Sequence, residues 1–225
     1  LLRREVTVGD SRFDLLLGRG KELFYAEVKS CTLCSRTGAM FPDAVTARGR
    51  KHILELAAMH RQGIHTGLLF LVHWDRARWF LPDYHTDPDF ASAFMEAAPD
   101  LDWKALALSW DPSFTEPSPV RLLSYPEDVL IREHHDCGDY LFVMHLKETE
   151  DIVIGARGSL HFPAGYYVYT ESARKHLTAR LARHQRRRKN MHWHIDYLRQ
   201  YADVVAAIPI RTTQDLEHDL AHAVH

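Results

Sequence analysis

Cysteine is scarce in this chain of 225 residues, with only Cys31, Cys34 and Cys137. So sparse and odd a set excludes the disulfide framework that staples small secreted domains. Cys31 and Cys34 form a CxxC, but no second pair exists to complete a zinc site, so they read as small apolar residues near the end of a strand. No apolar run approaches the roughly 20 residues that span a bilayer, and no secretory leader is visible. These absences predict a cytoplasmic setting and no membrane partner. The chain begins at Leu1 without a methionine, as a fragment of a longer protein would. Internal repeats and low-complexity tracts are missing too, and nothing specifies an oligomeric state. Acid is absent from residues 174–189, where eight of sixteen positions are Arg or Lys, although the net charge of the whole chain is only −2. Such a block marks a polyanion footprint.

What is present has the balance of a globular protein, 46% hydrophobic and 26% charged. The sixteen histidines are many, and most are expected at the surface. Pro112, Pro117, Pro119 and Pro126 break up the stretch that follows Asp111. Closely spaced prolines stop regular structure, so residues 113–136 read as a linker between a domain over 1–112 and another over 137–225. In the first, strands are predicted over 1–8, 12–17 and 23–30, with Gly18 and Gly20 supplying a turn. Helices follow over 45–60 and 87–98 around a buried strand at 67–72, with Asp87 as N-cap and Pro88 at the first helical position. In the second, strands are predicted over 140–147, 151–154, 166–170 and 204–210. A long basic helix is expected over 171–188, with others over 192–201 and 212–224, the last capped by Thr212 or Thr213. The class is therefore α+β, of mixed α/β character.

In FYAEVKS, Glu27 and Lys29 lie two apart on a strand and so point to one face, while Val28 points to the other. Asp14 lies on the preceding strand, and a neighbouring strand about 5 Å away brings its carboxylate beside Glu27. Two carboxylates can hold Mg²⁺, or Mn²⁺, which acidifies a bound water and neutralises a scissile phosphate. Lys29 can orient the water or meet the developing charge. The blander possibility is a salt bridge on an ordinary strand.

The succession SRFDLLL, YAEVKSCTL and AMFPDAVTARGRKHILEL resembles the sugar fermentation stimulation protein family over residues 3–110. The resemblance implies a PD-(D/E)XK nuclease-like domain, of the restriction-endonuclease type, with Asp14, Glu27 and Lys29 as its catalytic triad. Asp43, Arg48, Lys51 and His52 match its FPDA-RG-KH segment. Arg48, Lys51 and His52 are expected to contact nucleic acid, unless they are merely a solvated helix face. Members of the family carry an OB-fold-like segment and a helix ahead of this region. This chain begins too late to include either.

The second half holds Gly138-Asp139-Tyr140, then Tyr166-Tyr167-Val168-Tyr169, then Leu177, Arg180 and His184. The last three share a helix face by their spacing of three and four. A tyrosine hydroxyl can bind phosphate or help activate water, and arginine grips phosphate in bidentate fashion. The string YVYTESARKHLTARLARHQRRRKNMHWHIDYL resembles the Uri-type branch of the GIY-YIG endonucleases over residues 138–206. This implies catalytic roles for Tyr140, Tyr169, Arg180 and His184, and an acidic metal ligand for which Asp196 and Glu217 are the candidates. The departure is Glu171, where the family has glycine. His192, His194 and Asp196 form either a metal or general-base site or a helix cap packed around Trp193 and Tyr197. Arg180, Arg183 and Arg187 share a stripe expected to contact phosphate, so that binding falls steeply with salt.

These expectations describe a metal-dependent nuclease acting on DNA or RNA. The competing class is a DNA-binding regulator of sugar-use genes with vestigial or no nuclease activity, as the family's name suggests. A sugar-handling enzyme gains nothing, because no carbohydrate or nucleotide-cofactor site is recognisable.

Overall fold

The structure is a computed structural model that describes residues 1–224. The chain divides into two compact units, Leu1–Ile131 and Arg132–His225.

In unit 1, β1 (Arg3–Val8), β2 (Ser11–Arg19) and β3 (Glu22–Cys31) form an antiparallel meander. Gly20, at φ 64°, makes the turn between β2 and β3, a conformation that glycine adopts without steric cost. Short strands β4 (Leu33–Cys34) and β5 (Gly38–Phe41) follow, then α1 (Ala47–Arg61), β6 (His65–Val72) and β7 (Trp79–Pro82). The unit continues through α2 (Pro88–Ala97), β8 (Asp102–Ala107), β9 (Arg121–Leu122) and α3 (Glu127–Glu133), within which the division between units falls. The main sheet has the order β1-β2-β3-β6-β8-β9, with β3, β6 and β8 parallel. A small sheet has the order β4-β5-β7.

Ile53 and Leu56 of α1 and Phe90 and Phe94 of α2 pack on Leu68, Phe70 and Val72 of β6. Each such side chain contributes about 1.5–3 kcal/mol on burial. Thr46 caps α1 by accepting the N–H of Gly49 at 3.0 Å. Asp87 caps α2 through Oδ1, from Phe90 N at 2.9 Å, while its Oδ2 accepts the N–H of Thr46 at 2.7 Å. One buried carboxylate thus joins the starts of both helices.

Two short regular elements lie within the stretch expected to be a linker. β9 adds to the edge of β8 through Leu106↔Leu122 and Ala107↔Arg121, and α3 begins at Glu127. The Asp111 carboxylate organises the proline-rich loop by accepting the N–H groups of Thr115 and Glu116 at 2.7 and 2.8 Å. Prolines are compatible with a two-residue edge strand that uses few ladder hydrogen bonds. The short strands β4, β5, β7 and β9 have two to four residues each, too few to show a period.

In unit 2, β10 (Gly138–Leu146), β11 (Glu150–Val153), β12 (Ser159–Phe162) and β13 (Gly165–Ala173) precede α4 (Leu177–Gln185) and α5 (His194–Tyr201). β14 (Asp203–Arg211) and α6 (Glu217–Ala223) complete it. The sheet order is β13-β10-β14, antiparallel throughout. Tyr140, Phe142, Met144 and Leu146 alternate along β10 and bury one face against Leu177 and Leu181 of α4 and Ile195 and Leu198 of α5. Gly138 has φ 136°, and a Cβ there would stand 2.2 Å from the carbonyl oxygen of Ile210. Only glycine fits this position without moving the backbone.

The helix expected over 171–188 is shorter. Glu171, Ser172 and Ala173 extend β13, paired with Tyr140, Asp139 and Gly138, and α4 starts only after His176, whose φ is 57°. Ladder pairing outweighs local helix propensity here. Nor do Thr212 and Thr213 cap the last helix. Their hydroxyls bond Glu133 Oε2 at 2.9 and 3.2 Å, and α6 begins at Glu217.

Candidate active sites

The face of β3 that meets α1 carries Glu27 and Lys29, between core residues Tyr25 and Cys31. Glu27 is 2% exposed. Its Oε1 accepts from Lys29 Nζ and from His52 Nδ1, the latter at 2.6 Å. Its Oε2 is buried with no hydrogen-bond partner. The ladder between β2 and β3 ends at Leu15↔Ala26, one step short of Asp14. Asp14 Oδ2 instead accepts the backbone N–H of Val28 at 2.7 Å. Its carboxylate is therefore held at the residue between Glu27 and Lys29, and the three predicted residues converge on one stretch of β3. Among the described residues, no group of three or more His, Cys, Asp or Glu is placed to hold a metal ion.

His52 does not lie on the solvated face where nucleic acid was expected to meet it. It is 3% exposed, packs edge-on against Phe13 at 5.7 Å between centroids, and donates to Glu27. Position 52 lies one helical turn before Leu56, on the buried side of α1. Arg48 and Lys51 are exposed, with Lys51 Nζ 3.6 Å from Glu55. His52→Leu removes a hydrogen bond to a buried carboxylate, a loss of about 1.5–3 kcal/mol. His52→Asn carries an amide donor in a similar position and is expected to restore most of it. Urea unfolding of the two variants checks this, and equal stability of the His52→Leu and wild-type chains would sink it.

Cys31 is inert as a thiol. Burial pushes its pKa up to about 12, with Cys34 adding to the shift, and its Sγ donates to the carbonyl of Met40 at 3.0 Å.

In unit 2 the four predicted residues come together. Tyr140 stands opposite Glu171 in the β10–β13 ladder and donates its hydroxyl to Glu171 Oε2. His184 Nε2 is 3.0 Å from the same phenol oxygen, and Arg180 Nη1 reaches Glu171 Oε1 at 3.3 Å. Tyr169 closes the group, its ring 6.4 Å from Tyr140 and 6.2 Å from His184. Burial first, then the bond to Glu171, raises the Tyr140 pKa far above the phenol range, and burial with the Glu171 charge raises that of Tyr169. Both remain protonated donors. Burial, aided by the Lys189 charge, lowers the His184 pKa. The ring stands between the two halves of the cluster, with Nε2 toward the Tyr140 phenol and Nδ1 3.4 Å from Asp196 Oδ1.

Asp196 is not available as the metal ligand that the sequence suggested. Arg183 grips it through Nη1 at 3.1 Å and Nη2 at 2.8 Å, and Lys189 Nζ lies 2.8 Å from Oδ1. The N–H groups of His192 and Trp193 complete the set at 2.9 and 3.1 Å. The cap alternative for the His192, His194 and Asp196 cluster is the one observed. Arg183 is accordingly partly buried and committed to Asp196, with its guanidinium 4.4 Å from the Trp193 ring, and not a free phosphate contact. Arg187 is exposed and paired with Asp203 at 2.5 Å, so the stripe through 180, 183 and 187 is not a free cationic surface. Glu217 Oε2 accepts the N–H and hydroxyl of Ser172 at 3.0 and 2.9 Å, which places it beside β13. Lys189 belongs to the basic block expected to be a polyanion footprint, yet its side chain is 6% exposed. Its place after three arginines hides this, because a charge run carries no sign of which member turns inward.

The fold and these clusters define a two-unit α+β protein whose first unit is of the restriction-endonuclease type. Residues 1–113 match the family described as sugar fermentation stimulation protein RE domain, and the chain belongs to that family. Residues 139–225 match a domain of unknown function, DUF123. A sugar fermentation stimulation protein homolog of Thermoanaerobacter sp. (strain X514) is 41% identical over 97 residues, covering 43% of this chain and 42% of the relative. That of Methanosphaera stadtmanae is 47% identical over 94 residues, covering 41% and 39%. The chain thus spans about two fifths of the length of the curated relatives it matches. The solved structure of Pyrococcus furiosus SfsA in complex with Ca²⁺ is similar to it, with a TM-score of 0.51 and 32% identity over 55% of this chain and 54% of that one. Among the described residues, no helix is long and apolar enough to cross a membrane.

Proposed function

We propose that the chain is a metal-dependent nuclease that hydrolyses phosphodiester bonds of DNA or RNA in unit 1. The observation that carries this is Glu27 Oε2, a carboxylate oxygen buried with no hydrogen-bond partner, on a side chain whose Oε1 is bonded to Lys29, with the Asp14 carboxylate held at the next backbone N–H, that of Val28. An anion buried without full pairing is costly, and a divalent cation would remove that cost. The Ca²⁺ complex of the similar Pyrococcus furiosus protein supports the fit. Asp14 and Glu27 would hold Mg²⁺ or Mn²⁺, which when bound neutralises charge on the scissile phosphate and makes a bound water more acidic.

The protein's own groups do the rest. Lys29 Nζ orients the attacking water or meets the charge that develops on phosphate. His52 holds Glu27 by its Oε1 and keeps Oε2 turned free. Arg48 and Lys51 bind flanking phosphates from the exposed face of α1.

A second reading, a nucleic-acid-binding regulator of sugar use with little hydrolysis, is favoured by Glu171, whose negative charge stands among the candidate catalytic groups of unit 2. End-labelled single- and double-stranded DNA and RNA, incubated with Mg²⁺, Mn²⁺ or a chelator, separate the two. Cleavage with either metal and none with chelator is expected. Retention of nucleic acid without cleavage under any of these conditions would leave the regulator standing.

A further inference from the structure

The polar groups of unit 2 are arranged around an anion. Tyr140 directs its hydroxyl, and Arg180 its guanidinium, at the two oxygens of one carboxylate, that of Glu171. His184 Nε2 stands 3.9 Å from Oε2, and Tyr169 lies on the same side of β13, two residues before Glu171. Trp193 flanks the group, 5.2 Å from the Arg180 guanidinium. Tyr140 and His184 are fully buried, and a polar group is buried at a cost unless it has a partner to meet. The carboxylate itself is 19% exposed and Arg180 29%, so both charged members of the cluster touch solvent.

We propose that Tyr140, Tyr169, Arg180 and His184 form a phosphoryl-binding site that is closed in this chain by Glu171, whose carboxylate occupies the place of the phosphate. Phosphate and carboxylate oxygens are recognised by the same donors, hydroxyl O–H and guanidinium N–H, and arginine serves both in forked geometry. With Glu171 in place, the charge of Arg180 is neutralised within the chain. An incoming phosphate must displace a tethered competitor and then stand next to its charge. With the carboxylate removed, the same donors remain, and the Arg180 guanidinium keeps its bond to the Ser172 carbonyl at 3.1 Å but has lost the counter-charge of Glu171. The inference concerns unit 2 alone and holds whether or not unit 1 cleaves nucleic acid.

The full chain is titrated with inorganic phosphate by isothermal calorimetry, as wild type, Glu171→Ala and Glu171→Gln, all in a Glu27→Gln background that stops cleavage in unit 1, whose own phosphate binding is common to every variant and cancels in the comparison. Both substitutions at 171 are expected to tighten phosphate binding at least about tenfold, and Arg180→Ala added to either is expected to abolish the gain. A thymidine dinucleotide titrated in parallel distinguishes a nucleic-acid phosphate from a free one, and a gain with either ligand supports the site. If Glu171→Ala fails to fold, Glu171→Gln carries the test, because it keeps an acceptor for Tyr140 while removing the charge. Phosphate and dinucleotide binding no tighter than wild type in Glu171→Gln, or a gain that survives Arg180→Ala, overturns the proposal.

Discussion

Glu27→Gln is expected to lower Mg²⁺-dependent cleavage on the order of 10³-fold while nucleic acid remains bound. The substitution is nearly isosteric, so the packing around a residue that is 2% exposed is retained. Gln can still accept from Lys29 or His52 through its carbonyl oxygen, but it replaces the unpartnered Oε2 with an amide donor or presents a neutral carbonyl there. Either outcome removes the anionic ligand. A metal acting as Lewis acid supplies several kcal/mol of transition-state stabilisation, and about 1.4 kcal/mol corresponds to a factor of ten in rate. Losing about 4 kcal/mol therefore costs roughly three decades. Retention persists because the proposed phosphate contacts, Arg48 and Lys51, stand on exposed α1 and do not depend on the carboxylate. Quantitative cleavage and filter retention, measured on the same preparation, check the separation. Cleavage within tenfold of wild type would remove Glu27 from the mechanism.

Asp196→Asn is expected to destabilise unit 2 by about 3–5 kcal/mol, the usual cost of removing one member of a buried ion cluster. Asp196 is fully buried and neutralises Arg183 and Lys189 together, while accepting two backbone N–H groups that open α5. Without it, the buried Lys189 ammonium is left beside the partly buried Arg183 guanidinium with no counter-charge between them. Burial alone would raise the Asp196 pKa, but hydrogen bonds from Arg183 and Lys189 outweigh it, and the folded-state value lies below the ordinary 3.8. A carboxylate with a depressed folded pKa stabilises the fold fully above its unfolded value and loses that contribution as pH falls through the folded one. The wild-type chain should therefore lose stability on acidification below about pH 4, with a smaller slope in Asp196→Asn. Urea unfolding at pH 7 and pH 3 measures both effects. A change under about 1 kcal/mol at pH 7 would mean that the cluster contributes no more than an exposed ion pair.

How much of this was legible in advance depended on the element that carries each residue. Strand alternation is strict, so Glu27 and Lys29 could be placed on one face from sequence alone, with Val28 on the other. Asp14 was placed near them, but the means was not foreseeable. A register argument predicts facing side chains, whereas Asp14 reaches the Val28 backbone where the two strands part. Helical residues were harder. His52 adjoins Lys51 in a charged segment, and only the packing of α1 turns one inward and leaves the other exposed. The basic block was hardest, because Arg183 and Lys189 are identical in composition to their exposed neighbours and are distinguished by a carboxylate that follows in the chain. The tyrosine, arginine and histidine of unit 2 were found through spacing. That Glu171 is their common partner required the extension of β13 through Ala173.

Because one carboxylate, that of Asp87, fastens the entrances of α1 and α2, the helix that presents His52 to Glu27 takes its seating from a residue outside the candidate active site. The alignment of the proposed metal ligand is therefore open to adjustment from a remote anchor, and a lineage could tune cation affinity by changes around position 87 while every group that faces substrate stays untouched.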